Sequence, residues 1–279
     1  MGQPIPPRRL DMGGDPLSVP TARMPRVRSV ALKVPEIVIY FWIAKLLTTA
    51  LGESTSDYLV FHIDPYLAVT LGGAGLAVAL ALQLIARRYV AWIYWLAVVM
   101  VAVFGTMAAD VVHIVLGVSY LDSTVFFALA LAVIFVCWYL VERTLSIHSI
   151  STLRRELFYW ATVMATFALG TAAGDMTAST LRLGYFGSAV LFAVLFALPA
   201  LAYRLLGLNA IAAFWLSYIV TRPLGASIAD WLGKPHSASG LGLGDGPVSL
   251  VLTLLVIVVA GYLTVSRIDA PGDVARAAR

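Results

Sequence analysis

The sequence predicts an all-α polytopic membrane protein: eight transmembrane helices, built as four parallel tandem hairpin repeats in a pseudo-fourfold arrangement. Three observations lead to this fold class. The 279 residues are 61% hydrophobic and only 12% charged, with a mean hydropathy of +0.90. Apolar runs of about 18 residues or more recur along the chain, and one spacing of Trp, Gly and Asp returns four times. Ordinary soluble domains are about 25% charged, so the composition excludes a soluble protein.

Eight apolar segments are long enough to cross a bilayer, because about 20 helical residues span its hydrocarbon core. The segments are predicted to be helices and not barrel strands, since they are too long and too evenly apolar to alternate in character. The predicted spans are residues 36–61, 65–86, 90–116, 123–141, 156–181, 186–204, 209–232 and 247–266.

The net charge of +4 reflects membrane topology and does not indicate a nucleic-acid partner. Most of the 19 Lys and Arg fall at one predicted membrane face. By the positive-inside rule, both termini are therefore expected in the cytoplasm. This predicts a multi-pass protein of the bacterial cytoplasmic (inner) membrane with the lipid bilayer as its partner. The sequence leaves its oligomeric state open.

The domain organisation follows from the ends of these spans. Residues 1–34 are rich in Pro, Gly and Arg and are predicted to form a disordered cytoplasmic arm. The membrane domain is expected at 35–268, followed by a short cytoplasmic tail at 269–279. The single Cys137 lies in a predicted span, which excludes an intrachain disulfide.

The odd-numbered spans share one spacing: Trp, nine residues, Gly, four residues, Asp. The copies are Trp42, Gly52 and Asp57; Trp95, Gly105 and Asp110; Trp160, Gly170 and Asp175; and Trp215, Gly225 and Asp230. A small residue follows each Gly by four positions, and such pairs let helices approach closely in lipid. Each repeat is therefore a predicted two-helix hairpin, at about 35–88, 89–143, 154–206 and 207–268. Because a hairpin returns the chain to its starting side, all four repeats enter the membrane in the same direction.

With this pattern the chain resembles a bacterial membrane-protein family of four tandem repeats, each with two transmembrane segments and a characteristic tryptophan. The resemblance covers about residues 35–266. It implies eight spans and marks Trp42, Trp95, Trp160 and Trp215 as repeat markers. The family has no known function, so the resemblance implies no activity.

Seven ionisable residues lie within the predicted spans and have no evident role as helix caps: Glu53, Asp57, Asp110, Asp175, Asp230, Lys45 and Arg222. Ionisable groups are costly in a membrane and usually face a protein interior or a water-filled path. On the same helix face, four residues before the Asp, three repeats carry an oxygen ligand: Glu53, Thr106 and Thr171. If the odd helices surround an axis, these oxygens converge into a ring that favours cations.

A ring of carboxylates would suit a hard metal ion such as Mg²⁺, Mn²⁺ or Ca²⁺, with Asp57, Asp110, Asp175 and Asp230 as candidate metal ligands. No cofactor is predicted, and a divalent metal is expected only as a transported substrate. An alternative interpretation of these four carboxylates is a solvated rim at the membrane boundary.

Three residues break the symmetry of the repeats and are candidates for gating or charge compensation: Lys45, Arg222 and Pro223. Val98, Val163 and Tyr218 stand at the positions that match Lys45. A buried base beside these acidic groups is expected to form a neutralising salt bridge, with Glu53 as its partner, or to act in gating. Pro223 removes one backbone hydrogen bond from the seventh span.

The first functional hypothesis is a transporter or exporter of an inorganic cation, with or without proton coupling, that uses the repeat Asp residues. Two alternatives stay open: a non-transporting membrane scaffold or sensor, and a transporter of a small organic or anionic solute guided by Lys45 and Arg222. An enzyme is not expected, because the chain contains no HExxH, GxSxG, P-loop or CxxC motif.

Overall fold

The computed structural model describes residues 32–272, and every regular element in this part of the chain is helical. The long helices are α1 (Ile39–His62), α2 (Pro65–Ile85), α3 (Ala91–Asp110), α4 (Tyr120–Glu142), α5 (Leu153–Asp175), α6 (Gly184–Leu206), α7 (Ala210–Gly233) and α8 (Asp245–Ser266). Short π-helical turns extend α3 over Val111–Val115 and α5 over Met176–Thr180. Two 3₁₀ turns, Ile147–Ser149 and His236–Ala238, lie in connections. The predicted all-α fold class is confirmed.

The predicted arm and tail fall largely outside the described residues, which begin at Leu32 and end at Gly272. The few described residues that the sequence assigned to them are packed on the bundle. Val34 is buried, and Asp269 is fully buried, so the packed structure reaches slightly beyond the predicted membrane domain at both of its ends.

Polar side chains cap the first turns of α2 and α7. The Asp64 carboxylate accepts a hydrogen bond from the Leu67 N–H (3.0 Å) ahead of Pro65, the first residue of α2. Asn209 caps α7 in the same way through the Ile211 N–H (2.9 Å). The connections can therefore be short, and consecutive helices are antiparallel.

Seven of the eight long helices are long and apolar enough to cross a membrane. The exception is α1, whose 24 residues are long enough (about 36 Å at 1.5 Å per residue) but carry Lys45, Glu53 and Asp57. The first two of these side chains are buried. The chain is thus a multi-pass membrane protein in which the ionisable side chains of α1 are packed largely inside the bundle.

One end of the bundle gathers the start of the described chain, the connections after α2 and α4, and the segment after α8. Backbone hydrogen bonds join Tyr89 to Leu32 (2.9 Å), Lys33 to Ile150 (3.1 Å) and Glu36 to Asp269 (2.8 Å). We call this end the basic end, because the connections there carry most of the described Lys and Arg residues. The opposite end, where α1 and α7 finish, is the acidic end. Its orientation relative to the cytoplasm stays a prediction.

The odd helices α1, α3, α5 and α7 form a closed inner ring in which each contacts its two neighbours. The repeat glycines make these contacts possible. Each repeat glycine packs against the next odd helix, at the residue that stands three positions before that helix's own repeat glycine. The four pairs are Gly52 on Ala102, Gly105 on Phe167, Gly170 on Arg222, and Gly225 on Thr49. Because the fourth pair returns to α1, the predicted pseudo-fourfold arrangement is present in the glycine contacts themselves.

The even helices form the outer layer. Each packs chiefly on the odd helix of the next repeat: α2 on α3, α4 on α5, α6 on α7, and α8 back on α1. In an apolar stretch of 18 residues in each even helix, 11% to 28% of the residues are buried, against 56% to 67% in α3, α5 and α7. The remaining surface is apolar and faces lipid, which explains why α2, α4, α6 and α8 are apolar although little of each is buried.

One face of each odd helix points to the ring axis. It consists of residues spaced by four, which form one stripe along a helix. Five levels result, from the basic to the acidic end. They are an aromatic level (Phe41, Tyr94, Tyr159, Phe214), a lysine level (Lys45, Val98, Val163, Tyr218), an arginine level (Thr49, Ala102, Phe167, Arg222), a threonine level (Glu53, Thr106, Thr171, Ala226) and an aspartate level (Asp57, Asp110, Asp175, Asp230). The axis-facing residues of the other four levels are all buried.

Candidate functional site

The acidic end of the axis is lined by carboxylates from all four repeats. We call Glu53, Asp57, Asp110, Asp175 and Asp230 the acidic vestibule. Glu53, Asp57 and Asp230 each offer one oxygen within 4.8 Å of the others, which is a spacing that one metal ion could bridge. Glu53 and Asp230 are buried, and Asp57 is half-buried.

Asp110 and Asp175 occupy the other side of the vestibule. Each is the last residue of its α-helix and leads directly into a π-helical turn, whereas α1 and α7 continue as α-helix past their aspartates. Both carboxylates lie within Coulombic range of Glu53. The four predicted aspartates therefore face one region, but they divide into a close pair on α1 and α7 and a second pair at the two π turns.

Lys234, which the sequence analysis did not single out, reaches into this region from the C-terminal end of α7. Its Nζ lies 2.5 Å from Asp57 Oδ2, 3.7 Å from Asp245 Oδ2 and 4.0 Å from Asp230 Oδ1. Burial alone would lower the pKa of Lys234, but these three carboxylates together raise it above its ordinary value. Lys234 is therefore a charged, tethered cation at the mouth of the vestibule.

The segment that carries Lys234 is held against α7. Backbone N–H groups of Leu241, Leu243 and Gly244 donate to carbonyls in the last turn of that helix, at 2.6–3.0 Å. Gly242 donates to the Lys234 carbonyl (2.8 Å). The Gly-rich connection before α8 is thus folded back as a hydrogen-bonded cap, which fixes the backbone from which Lys234 projects.

Negative charge exceeds positive charge at the acidic end. Five vestibule carboxylates and Asp245 are six potential negative charges, against Arg222 and Lys234, so the excess is four if all six ionise. Carboxylates this close cannot all stay ionised without a further cation or bound protons. The site therefore suits a cationic ligand.

Arg222 closes the axis directly below the vestibule. Its guanidinium forms an ion pair with Glu53 and donates to the hydroxyls of Thr106 and Thr171, the latter at 2.8 Å. The two threonines donate to their own helix carbonyls and so present oxygen lone pairs to the guanidinium. One arginine of the fourth repeat thus binds the matching position of each of the other three repeats.

This contact changes the predicted roles of several residues. Thr106 and Thr171 lie beneath the aspartates, as expected, but their hydroxyl oxygens face Arg222. Of the two buried bases, Arg222 is the one that forms the salt bridge with Glu53, whereas Lys45 forms no described ion pair. The Cδ of Pro223 lies 2.8 Å from the point where a Cβ on Gly170 would stand, so the two residues are in close contact. Helix α7 continues through Pro223 as one helix.

Lys45 lies deeper, at the lysine level, where it is 1% exposed. Its Nζ lies 3.9 Å from the centroid of the Phe167 ring and 4.2 Å from that of Tyr218. Among residues 32–272 it has no hydrogen-bond partner. Lys45 is therefore held by aromatic faces and is separated from the vestibule by the arginine level.

The aromatic level closes the axis toward the basic end. Phe41, Tyr94, Tyr159 and Phe214 are all buried and each precedes a repeat tryptophan. Tyr94 and Tyr159 share a short hydrogen bond between their hydroxyls. The aromatic residue directly before each repeat tryptophan is a sequence signal that the Trp–Gly–Asp spacing does not include.

Two apolar cavities of the described structure lie away from the carboxylates. Each has a volume of about 580 Å³ and opens on the outer surface, one between α3 and α8 and one between α4 and α7. Each is lined by a repeat tryptophan, Trp95 or Trp215. Their apolar walls and position suit lipid chains, so they do not compete with the acidic vestibule as a polar binding site.

Comparison with known proteins gives one result. A family model described as "Repeat of Unknown Function (DUF347)" matches the chain four times, at residues 40–89, 93–144, 158–207 and 213–269. These ranges agree with the four repeats that the Trp–Gly–Asp spacing predicts. No curated protein and no solved structure matches the chain.

Proposed function

The chain belongs to this family of four tandem repeats, and from the geometry of its site we propose that it transports an inorganic cation across the membrane. The observation that carries the proposal is the convergence of Glu53, Asp57 and Asp230 within 4.8 Å at the mouth of a closed axis. Carboxylate oxygens are the ligands that hard cations such as Mg²⁺, Mn²⁺ and Ca²⁺ prefer.

The arginine level supports a transporter with an occluded state over an open channel. Arg222 fills the axis beneath the vestibule, and Phe167 is fully buried at the same level. A hydrated ion cannot pass a level that is closed by packed side chains. Transport then requires Arg222 and Glu53 to separate and the lysine and aromatic levels to open toward the basic end, as in alternating access around a fixed site.

The positive-inside rule places the basic end in the cytoplasm, so the vestibule would face the outside of a bacterial inner membrane. We propose transport and not catalysis, with the cation as substrate. A scaffold in which the aspartates only fix helix packing is the alternative that the first experiment tests.

Replacement of Asp57 or Asp230 by Asn should lower cation flux about tenfold or more, since each carboxylate lost removes a charged ligand worth about 1.4 kcal/mol or more. Flux of Mn²⁺, Mg²⁺, Ca²⁺ and Na⁺ is measured in proteoliposomes. Asp64→Asn is the matched control, because Asp64 is an exposed helix cap at the same end and Asn also caps helices.

Wild-type flux in a variant with Asn at all four aspartates would exclude the proposal. A scaffold makes a different prediction: the Asn variants should shift the thermal unfolding temperature without changing any ion-dependent signal. Thermal unfolding measured with and without each cation separates the transporter from the scaffold, because a ligand that binds the folded state raises its stability.

Lys234 should compete with the transported cation. We expect Lys234→Gln to tighten cation binding about tenfold, because it frees Asp57, Asp230 and Asp245 from a tethered ammonium. Cation affinity is measured by thermal shift on purified protein. Arg182→Gln, at the same end but in no described ion pair, is the control. Weaker cation binding in Lys234→Gln would contradict the competition.

A further inference from the structure

The lysine level contains a titratable group that cation binding in the vestibule does not use. Lys45 is 1% exposed, and its Nζ lies 3.9 Å and 4.2 Å from the ring centroids of Phe167 and Tyr218, with no hydrogen-bond partner among the described residues. A buried lysine changes its protonation state readily, whereas an arginine keeps its proton under all ordinary conditions. A lysine without an acceptor, at the centre of a membrane protein, is therefore a functional candidate.

The surroundings of Lys45 contain few other charges. From α7 it is faced by Tyr218, and Arg222 lies within Coulombic range one turn above. From α3 and α5 it is faced by Val98, Val163 and Phe167, which are fully buried and apolar. In this closed state the lysine level excludes a hydrated ion, and a proton is the one charge carrier that side chains alone can pass across it.

Hydroxyl groups continue from Lys45 toward the basic end. Tyr218 has a buried hydroxyl without a hydrogen-bond partner in the described structure, and it lies next to Tyr159. The hydroxyls of Tyr159 and Tyr94 are hydrogen-bonded to each other. The ring centroids of Tyr94 and Tyr89 are 5.8 Å apart. These four tyrosines are successive neighbours from the lysine level to the edge of the bundle, and the contact between Tyr159 and Tyr94 is a hydrogen bond.

The series ends at a carboxyl group on the basic side. Tyr89 donates a hydrogen bond to Asp269, which lies outside the spans. Burial raises the pKa of Asp269 above its ordinary value. A cavity of about 130 Å³ lined by Arg88, Tyr89, Arg267 and Asp269 adjoins this pair.

We propose that the inner half of the axis is a proton pathway, with Lys45 as its central relay and the tyrosines at 218, 159, 94 and 89 leading to Asp269, so that cation transport is coupled to protons. The inference rests on the proposed function. Thr49, one turn from Lys45 on the same face of α1, supplies a hydroxyl on the acidic side of the relay.

The proton balance is simple. The Lys45 ammonium releases one proton toward the Tyr218 hydroxyl and becomes a neutral amine. Each tyrosine hydroxyl donates its own proton to the next group while its oxygen accepts a proton from the previous group. Asp269 then releases a proton at the basic end. Lys45 regains its proton from the acidic side when the arginine level opens, and the same steps run in reverse when the cation crosses from the acidic to the basic end. No oxidant or reductant takes part.

The test measures both fluxes in the same proteoliposomes. A gradient of Mn²⁺, Mg²⁺, Ca²⁺ or Na⁺ is imposed, cation entry is followed directly, and proton movement is read from a trapped pH-sensitive dye. In the wild type, cation entry should drive proton movement in the opposite direction. Lys45→Arg keeps the charge but cannot release a proton, so we expect proton movement to fall about a hundredfold while cation binding is retained.

A second, milder variant covers the case in which Lys45→Arg does not fold. Tyr218→Phe keeps the ring against Lys45 and removes only the unpartnered hydroxyl, and it should slow proton movement by a similar factor. Tyr203→Phe on the exposed face of α6 is its control and should behave as the wild type.

Wild-type proton movement in Lys45→Arg or in Tyr218→Phe would overturn the pathway. Cation flux without any proton movement in the wild type would overturn the pathway and leave the proposed function standing. If no cation moves in the wild type, the proposed function fails and the coupling fails with it.

Discussion

Arg222→Met is expected to lower the free energy of unfolding by about 3 to 5 kcal/mol, because it leaves the buried Glu53 carboxylate without its partner. Arg222 and Glu53 are 0% and 6% exposed, so water cannot replace the lost contact. The hydroxyls of Thr106 and Thr171 lose their donor as well. The measurement is unfolding in detergent by heat or by SDS titration.

The double variant Glu53→Gln/Arg222→Met separates the ion pair from the shape of the arginine level. Replacing both members of a buried ion pair by neutral groups is often close to neutral in stability. We therefore expect the double variant to regain most of the stability that the single variant loses. A double variant as unstable as Arg222→Met would show that packing at this level, and not the unpaired charge, accounts for the loss.

Gly52→Ala is expected to destabilise the bundle by about 3 kcal/mol, although it adds only one methyl group. The new Cβ would overlap the side chain of Ala102 and lie 2.7 Å from its backbone carbonyl carbon, so α1 and α3 would have to separate. A backbone atom cannot move aside as a flexible side chain can. The unfolding assay used for Arg222→Met measures this effect.

Two matched variants test whether the effect of Gly52→Ala comes from the helix contact. At Gly105 the new Cβ would lie 3.0 Å from Phe167 Cβ, so Gly105→Ala should destabilise less. At Gly261, in the outer helix α8, it would meet nothing within 4 Å, and Gly261→Ala should be tolerated. Equal losses at positions 52 and 261 would contradict the close packing of α1 on α3.

Much of the fold can be predicted from the sequence, because the repeat is exact in spacing. The positions of Trp, Gly and Asp define four hairpins, and hairpins that enter from one side lead to a ring. The matched positions at Glu53, Thr106 and Thr171 do meet near the axis. Periodicity also fixes which face of each helix is buried, so the convergence of the acidic residues follows from register.

The partners of the charged residues could not be predicted in this way. Lys45 and Arg222 are both within reach of Glu53 in a ring of unknown depth, and only the heights of the side chains in three dimensions decide between them. Arg222 lies one turn below Glu53, whereas Lys45 lies two turns below it and is covered by Phe167. Lys234 is outside every span, and it reaches the vestibule only because its connection folds back on α7.

The closure of the glycine contacts from the fourth repeat back to the first has an evolutionary consequence. Four identical hairpins could build the same ring as a homotetramer, but every residue on the axis would then occur four times. Four arginines would repel one another, and a lone Glu53 could not exist. Fusion of the hairpins into one polypeptide lets a single arginine and a single lysine occupy an otherwise symmetric centre, so the joined chain can carry different residues at the matched positions of one level.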